Sequence, residues 1–459
     1  MGDKRQKNQL ELAFTVEQKG EARKPNGKGT ESSLARYESE SLAESERLME
    51  VICEAKNLKQ ALRRVKGNGG SPGIDGMKVE ELGSWLIANW ARIREDLLGG
   101  RYEPQPVKRV EIDKPDGGKR NLGIPTVIDR FVQQAVLQIL QTIWEPTFSD
   151  SSYGFRQQRS AHQAIAAAQE YLSKGYEWVV DIDLEKFFDR VHHDRLMARL
   201  ARRVHDKRLL TLVRAFLRAG VLEGGLVSPT EEGTPQGGPL SPLLSNIVLD
   251  ELDQELEKRG HKFARYADDC NLYVRSERAG QRVMKSVRRF ISATLRLRIN
   301  ENKSAVARPQ ERKFLGFSFT SEHPPRRCIA PKAKLRFKER IREITSRTRG
   351  RNLKDVLQEL NRYLDGWRGY FGYCEIHEAL RGLDKWIRRR LRSYQWKQWK
   401  TFRKRRSALL RRGVNRQEAT MFAASRKGPW RLSHSKTLDR ALPISYFDHI
   451  GLHRLWRPA

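Results

Sequence analysis

The stretch Val179-Val-Asp-Ile-Asp183-Leu-Glu-Lys-Phe-Phe188-Asp189 decides the fold, together with a second stretch, Phe263-Ala-Arg-Tyr-Ala-Asp268-Asp269-Cys-Asn-Leu-Tyr-Val274. In the first, strand-forming residues end in carboxylates and lead towards a helix. In the second, two such runs flank an adjacent acidic pair, which predicts a hairpin with the acids at its tip. Turn chemistry alone explains the Asp pair taken by itself. The flanking strands and the second strand-end Asp favour a functional site instead.

These carboxylates are suited to binding a divalent cation. Adjacent carboxylates repel, and a cation removes that penalty. If Asp183 lies beside Asp268 and Asp269, the three form a site of hard oxygen ligands that suits Mg²⁺. Two such ions about 3.5 to 4 Å apart activate an attacking 3′-hydroxyl and stabilise a departing pyrophosphate, so the pattern indicates nucleotidyl transfer. Asp181 faces the same side of its strand as Asp183, and the pattern alone does not choose between them.

The charge of the chain points to a polyanionic partner. The 459 residues include 89 Lys and Arg against 56 Asp and Glu, which gives a net charge of +33. Such an excess favours nucleic acid as the partner, with a merely soluble basic surface as the plain alternative. No apolar run approaches the roughly 18 residues of a membrane span, and no secretory signal opens the chain, so we expect a cytoplasmic protein without membrane contact. Four scattered cysteines without a C-x-x-C pair exclude a disulfide framework and a zinc ribbon.

Periodicity along the chain indicates an α+β region followed by a helical one. Residues 1–40 are polar and aperiodic and read as a flexible leader. A capping box at Ser41 opens a helix that Gly67 ends, and a glycine-rich loop follows, either a phosphate cradle or a plain loop. The other expected elements are strands at 106–112, 178–183 and within 262–275, and helices at 127–144, 160–174 and 193–218. Strand signals almost vanish beyond 330, and residues 381–412 hold 14 Lys and Arg with Asp384 as the single acid.

At this point the sequence resembles a known family, the reverse transcriptases and maturases encoded by bacterial group II introns. Blocks similar to those of the family occur in order at residues 114–130, 152–156, 183–189 (D-x-x-x-F-F-D), 233–246 (with P-Q-G), 266–269 (Y-x-D-D), 297–303 and 314–317. Residues 364–371 and 383–387 resemble the hallmarks of its thumb, or maturase, region. The Cys pairs and His-rich motif of members with a DNA endonuclease are missing, which is typical of the shorter members.

The resemblance implies a right-hand polymerase, with α+β fingers and palm built on antiparallel sheet and an all-α thumb. The implied domains are a leader (1–40), an extension of the fingers (41–105), fingers and palm (106–320), a thumb/maturase domain (321–405) and a basic C-terminal nucleic-acid-binding region (406–459). The implied activity is RNA-directed DNA synthesis, together with binding of the intron RNA to assist splicing and mobility. Implied partners are group II intron RNA, an RNA template with a DNA primer, dNTPs and target DNA.

The resemblance also assigns roles to single residues. It selects Asp183 over Asp181 and makes Asp183 and Asp268 the ligands of two Mg²⁺ ions, with Asp269 assisting. Phe188 would lie under the sugar of the incoming nucleotide and exclude a 2′-hydroxyl, although a core aromatic is the alternative. Lys119 and Arg120 are expected to hold the triphosphate, with Lys114 as a weaker candidate. Gln236 is expected at the template or nucleotide, and Lys303 near the leaving phosphate. Each of these residues also has a plain structural alternative.

The basic region after residue 380 is expected to bind RNA or a template-primer duplex. Cations would neutralise phosphates and exposed rings would stack on unpaired bases. The expected contact residues are Arg388, Arg389, Arg390, Arg392, Lys397, Lys400, Arg403 and Lys404. The interleaved rings are Trp386, Tyr394, Trp396, Trp399 and Phe402, of which helical spacing assigns Trp386 and Tyr394 to the core.

Two alternatives to a mobile-intron polymerase stay open. The protein could act mainly as an RNA-binding splicing cofactor, or as a domesticated relative that serves DNA repair or defence. A ribozyme sequence around the reading frame would separate the mobile intron from the host role.

Overall fold

The computed structural model describes residues 46–113, 118–223, 226–228, 232–234 and 236–457. The predicted leader, the capping box at Ser41 and the candidate Lys114 lie outside the described residues. The described residues divide into two compact units, the first comprising those up to 167 and from 178 to 306, and the second those from 168 to 177 and from 307 onward.

The first unit combines helices with two four-stranded sheets. Its helices are α1 (Leu48–Ile52), α2 (Ala55–Asn68), α3 (Leu82–Leu98), α4 (Val127–Trp144), α5 (Ala161–Ser173, shared with the second unit), α6 (His193–Leu200), α7 (Lys207–Arg218), α8 (Ser241–Lys258) and α9 (Glu277–Phe290). Its strands are β1 (Val107–Asp113), β2 (Lys119–Ile124), β3 (Trp178–Asp183), β4 (Val221–Glu223), β5 (Leu226–Ser228), β6 (Lys262–Tyr266), β7 (Asp269–Val274) and β8 (Ala305–Ala307). The helix at 127–144 and the hairpin around the acidic pair are confirmed.

The two sheets differ in order and in what they carry. The fingers sheet has the order β2-β1-β4-β5, and the palm sheet, which carries the acidic residues, has the order β6-β7-β3-β8. Strands β3, β7 and β6 pair antiparallel, as expected. Because side chains alternate along a strand, Val180, Ile182 and Leu272 are buried on one face of the palm sheet, while Asp183 lies on the other.

Two predicted helices are each interrupted. The helix expected to end at Gly67 is instead α1 followed by α2, because Glu54 is extended and Asn57 Nδ2 donates to the terminal Ile52 carbonyl at 2.8 Å. The helix expected at 193–218 breaks before α7, where the Asp206 carboxylate accepts the Arg208 N–H. At both breaks a side chain forms a hydrogen bond with the backbone at the end of a helix.

The second unit is mainly helical and has an aromatic core. It contains β9 (Phe317–Phe319), β10 (Arg327–Ile329), α10 (Pro331–Ile344), α11 (Leu353–Phe371), α12 (His377–Gln398), α13 (Phe402–Leu410), α14 (Arg416–Ala423), α15 (Pro429–Leu432), α16 (Lys436–Ala441) and α17 (Ile444–His449). The ring of Trp367 lies 4.3 Å from that of Phe337 and 4.7 Å from that of Phe371, which in turn lies 5.3 Å from Phe317.

The compact units divide the chain by packing, and the domain limits expected from the sequence stay predictions. Residues 307–320, expected in the palm, group with the helical unit, where Phe317 joins the aromatic core. Residues 406–459, expected as a separate region, belong to the same unit as α12. The buried Asp384 carboxylate on α12 accepts the backbone N–H groups of Leu455 and Trp456 at 3.0 and 3.1 Å. No helix within the described ranges is long and apolar enough to cross a membrane.

Candidate active site

Strand pairing brings the predicted carboxylates to one edge of the palm sheet. Asp183, the last residue of β3, lies opposite Asp269, the first residue of β7. Asp268 lies in the two-residue turn between β6 and β7, next to Ala267, whose φ of 58° is left-handed. The structure therefore places Asp183, Asp268 and Asp269 together, although the first is more than 80 positions from the others. Asp181 lies opposite Asn271 on the same face, farther from the tip.

The pKa of Asp268 at this edge depends on charged residues of both sheets. Burial raises the pKa of Asp268 above its ordinary value, and the negative charge of Asp183 raises it further. The guanidinium groups of Arg120 and Arg265 act in the opposite direction and lower the pKa of Asp268. Arg120 on β2 is thus close enough to affect the carboxylate at the tip. Charge repulsion between the two acids is the penalty that a bound cation would relieve.

Asp183 is positioned by the segment before β8. Its backbone N–H donates to Ser304 Oγ at 2.9 Å, and its carbonyl accepts the Asn300 N–H at 2.8 Å. Lys303 Nζ lies 3.7 Å from the Asp183 carboxylate, so the predicted leaving-group lysine does reach the acidic edge. Both side chains are partly exposed, as a residue that meets substrate must be.

The acidic edge is not a preformed metal cage. Within the described residues, no three His, Cys, Asp or Glu side chains gather closely enough to hold a metal ion. The Asp183 carboxylate is instead paired with the ammonium of Lys303. The donor set nevertheless fits Mg²⁺, which usually takes one or two carboxylates and completes its octahedron with water and substrate phosphates.

A buried network, which the sequence did not reveal, holds the acidic turn. Arg265 on β6 is fully buried, and its guanidinium forms a bidentate pair with Asp253 on α8 at 2.7 and 2.5 Å. It also donates to Asn246 Oδ1 at 3.0 Å, to Ser152 Oγ at 2.7 Å and to the carbonyl of Ala267 at 2.9 Å. All five guanidinium donors are thereby used. The sequence feature that could have indicated this network is Asp253, an acid within the apolar stripe of α8.

The segment at residues 151–154 packs directly against the same turn. Its backbone pairs with β6, since Arg265 N donates to Ser151 O at 2.9 Å and Tyr153 N donates to Arg265 O at 2.8 Å. A Cβ atom on Gly154 would lie 2.3 Å from the backbone nitrogen of Ala267, so only glycine fits there. The block at residues 152–156 thus acts as a support for the acidic tip.

A cavity of about 990 Å³ opens between the fingers sheet and the turn after β3. Phe188 and Gln236 line it, together with cationic residues that include Arg109 and Arg190. The half-buried ring of Phe188 packs edge-on against buried Phe187, with 5.3 Å between ring centroids. Phe188 therefore faces open space, while its neighbour Phe187 belongs to the core.

The loop that carries Gln236 contacts the backbone of β2 closely. Gly123 on β2 donates its N–H to Gln236 O at 2.8 Å, and a Cβ on Gly237 would lie 2.5 Å from Gly123 O. The side chain of Gln236 reaches Asp189 Oδ1 at 3.4 Å. The close approach of Gly237 to the backbone of β2 therefore leaves no room for a side chain. Lys119, in contrast, forms an exposed ion pair with Glu111 on the neighbouring strand.

The basic residues of α12 are largely engaged within the second unit. Arg390 donates to Thr345 Oγ1 at 3.0 Å, and Arg392 pairs with Asp439 at 2.6 Å and donates to Leu442 O. Arg389 stacks on the Trp430 ring at 4.1 Å, and burial lowers the pKa of Arg388. The remaining predicted contact residues are exposed, namely Lys397, Lys400, Arg403 and Lys404.

Most of the interleaved aromatic rings are core rather than surface. Tyr394, Trp396 and Trp399 are buried, so they cannot stack on bases. Trp386, which helical spacing assigned to the core, is only half-buried. Phe402 remains exposed at the start of α13. Of the residues predicted to contact nucleic acid, those that stay exposed therefore lie around the α12–α13 junction.

Comparison with known proteins gives the class and then the family. The profile of the reverse transcriptase (RNA-dependent DNA polymerase) matches residues 112–319, which contain the whole acidic edge. The profile of the group II intron, maturase-specific domain matches residues 334–413. The fold and the first match define the class as an RNA-directed DNA polymerase.

Relatives in curated collections extend the match. Protein YkfC of Escherichia coli (strain K12) is 35% identical over 301 residues, which cover 57% of this chain and 79% of YkfC. Group II intron-encoded protein LtrA of Lactococcus lactis subsp. cremoris is 43% identical over 175 residues, 38% of this chain and 29% of LtrA. The chain belongs to the reverse transcriptases and maturases encoded by group II introns, whose roles are RNA-directed DNA synthesis and intron splicing and mobility.

Two solved structures are similar over part of the chain. A partial Cas6-RT-Cas1--Cas2 complex is similar with a TM-score of 0.35 and 25% identity, over 53% of this chain and 42% of that chain. Telomerase from Candida albicans gives a TM-score of 0.40 at 14% identity, over 60% of this chain and 55% of the other.

Proposed function

We propose that this protein extends a primer 3′-hydroxyl with deoxynucleotides on an RNA template, using Asp183 and Asp268 as ligands of two Mg²⁺ ions and Asp269 as an assisting ligand. The observation that carries the proposal is the register that sets Asp183 opposite Asp269, beside the half-buried Asp268. When bound, the two ions would activate the hydroxyl and neutralise the departing pyrophosphate.

The residues around this edge fit roles in holding the nucleotide. Arg120 affects the Asp268 carboxylate, so a triphosphate bound at that edge would lie within reach of its forked donors. Lys303 lies at the same edge and fits a group that neutralises, or donates a proton to, the leaving phosphate. Lys119 would have to leave its ion pair with Glu111 before it could bind the triphosphate.

The cavity between the fingers sheet and the turn after β3 fits the incoming sugar and the templating base. The ring of Phe188 lines it and would occupy the space that a 2′-hydroxyl needs. Gln236 lines it as well, on a loop fixed to β2, and could contact the base pair being formed. The pocket would thereby select deoxynucleotides by shape.

Primer extension with single carboxylate variants tests the metal assignment. Asp183→Asn and Asp268→Asn should abolish extension with little loss of RNA affinity, because each removes one hard ligand and no base contact. Asp181→Asn, on the same strand face, serves as the matched control and should retain activity. Extension by both site variants, or its loss only in the Asp181 control, would refute the assignment.

We also propose that the second unit binds the intron RNA and assists splicing, because residues 334–413 match the maturase-specific domain. The exposed cations at the α12–α13 junction are the contact surface that the structure favours over Arg390 and Arg392. Splicing of a cognate intron should survive Asp183→Asn and fail when the exposed set Lys397, Lys400, Arg403 and Lys404 is neutralised. Normal splicing by that quadruple variant would remove this surface from the proposal.

Other partners and the biological setting belong to the same proposal. Target DNA and a cytoplasmic location follow from the mobile-intron role. A domesticated role in repair or defence is the alternative, and the DNA around the reading frame separates the two. A ribozyme's catalytic hairpin there supports a mobile intron, and its absence supports the host role.

A further inference from the structure

Helix α9 carries a straight row of cations on the side of the palm sheet away from the carboxylates. Gly280 on α9 packs against this sheet, where an added Cβ would lie 3.4 Å from Val274 and 3.6 Å from Val180. Val180 and Asp183 are three positions apart on β3, so they point to opposite faces. The outer surface of α9 is therefore remote from the catalytic edge.

The row consists of four exposed residues, here called the rear stripe: Arg278, Arg282, Lys285 and Arg289. Their spacing of four, three and four positions places them within about 60° around the helix axis. At about 1.5 Å per residue, the stripe is about 16 Å long. Buried Met284 and Val287 lie on the opposite side of α9, so the stripe points outward.

The stripe is not neutralised within the described part of the chain. Glu277 is the only acid between positions 275 and 300, and the neighbouring Arg288 pairs with Glu301 at 3.3 Å. No ion pair between described residues involves a stripe side chain. Cations three and four positions apart repel one another and destabilise a helix. A bound polyanion would remove this repulsion.

We propose that the rear stripe binds the phosphate backbone of double-stranded RNA, as a second RNA site separate from the polymerase cleft. The stripe has three arginines, whose forked donors suit phosphate oxygens. It presents no exposed aromatic ring, so it lacks the stacking platform that unpaired bases require. A straight row of cations instead matches the regular row of phosphates along one strand of a duplex. The proposal rests on RNA as the partner in the proposed function.

Binding of a labelled RNA hairpin of about 20 base pairs, followed by anisotropy at several salt concentrations, tests the stripe. Arg282→Gln with Lys285→Gln removes two charges from it, and Lys258→Gln with Lys262→Gln removes two exposed charges elsewhere on the first unit. The stripe variant should bind about tenfold more weakly at low salt, and its slope of log affinity against log salt should be smaller by about two. The control variant should change the slope by less than about one.

Further measurements decide what a loss of hairpin binding by the stripe variant means. Extension of a primer on a short single-stranded RNA template should be unchanged in the stripe variant, and its Tm should not fall, because the removed charges repel one another. Asp183→Asn should abolish extension and leave hairpin binding intact, which separates this inference from the polymerase assignment. Equal losses in the stripe and control variants, or a loss of extension that parallels the loss of binding, would overturn the proposal. An equally large loss for a DNA duplex of the same length would overturn the assignment to RNA.

Discussion

Breaking the Arg265–Asp253 pair should both destabilise the first unit and displace the catalytic turn. Arg265→Leu leaves the fully buried Asp253 carboxylate without its bidentate partner. Removal of one member of such a pair costs about 3 to 5 kcal/mol. For a unit of this size, that corresponds to a fall in Tm of roughly 6 to 15 °C.

The double variant Arg265→Leu with Asp253→Leu separates stability from positioning. Replacing both charges by apolar side chains removes the uncompensated carboxylate, so most of the lost stability should return. The hydrogen bonds from the guanidinium to Ala267 O and Ser152 Oγ stay absent. A displacement of the turn by about 1 Å should then lower kcat about 100-fold, with a smaller change in the KM for dNTP.

Thermal unfolding and steady-state primer extension on the same preparations measure both effects. A control pair, Arg199→Leu with Glu251→Leu, removes another ion pair of this unit, whose hydrogen bonds go to Val248 and Glu251 on α8. The control should leave kcat unchanged, whatever its effect on Tm. If the Arg265 double variant regains both wild-type stability and wild-type kcat, the guanidinium does not position the turn and the reasoning is wrong.

Three more outcomes follow from the structure. Phe188→Ala should raise the use of ribonucleotides relative to deoxynucleotides at least about tenfold in primer extension, and an unchanged ratio would assign the ring to packing alone. Burial raises the pKa of Asp384, so the folded state binds a proton more readily than the unfolded state between the ordinary and the raised pKa. Stability should therefore fall as pH rises through that window, and Asp384→Asn should abolish this component in Tm measured against pH. Arg392→Gln should lower Tm because it breaks the pair with Asp439. Lys400→Gln should instead leave Tm unchanged and weaken RNA binding. The reverse pattern would contradict the RNA-binding surface assigned to the α12–α13 junction.

The strongest local patterns in the sequence were realised as expected. The apolar periodicity of residues 127–144 and the alternation around Asp268 each depend on neighbours within a few positions, and the structure contains both elements. The interruptions before α2 and α7 were missed, although the contacts at the breaks are local: Asn57 bonds to Ile52 O and Asp206 accepts the N–H of Arg208. Both side chains also bond to distant segments, which the sequence pattern does not show, and Asn57 Nδ2 donates to Ala135 O at 3.1 Å. Asp206, for example, also accepts the N–H of distant Met49 at 3.0 Å.

By itself, the sequence determined the elements, the basic character and the two acidic stretches, since these depend on residue type and short-range spacing. The tertiary structure alone decided which charges are available for function. Arg265 became an internal support because its acceptors come from α8 and from the segment before α5. Arg390 and Arg392 turned inward because residues near positions 345 and 440 supply their partners, while the four rear-stripe cations of α9 form no ion pair within the described chain. A charged side chain is held by whichever opposite charge or acceptor the fold brings to it, and that depends on contacts between segments that are far apart in sequence.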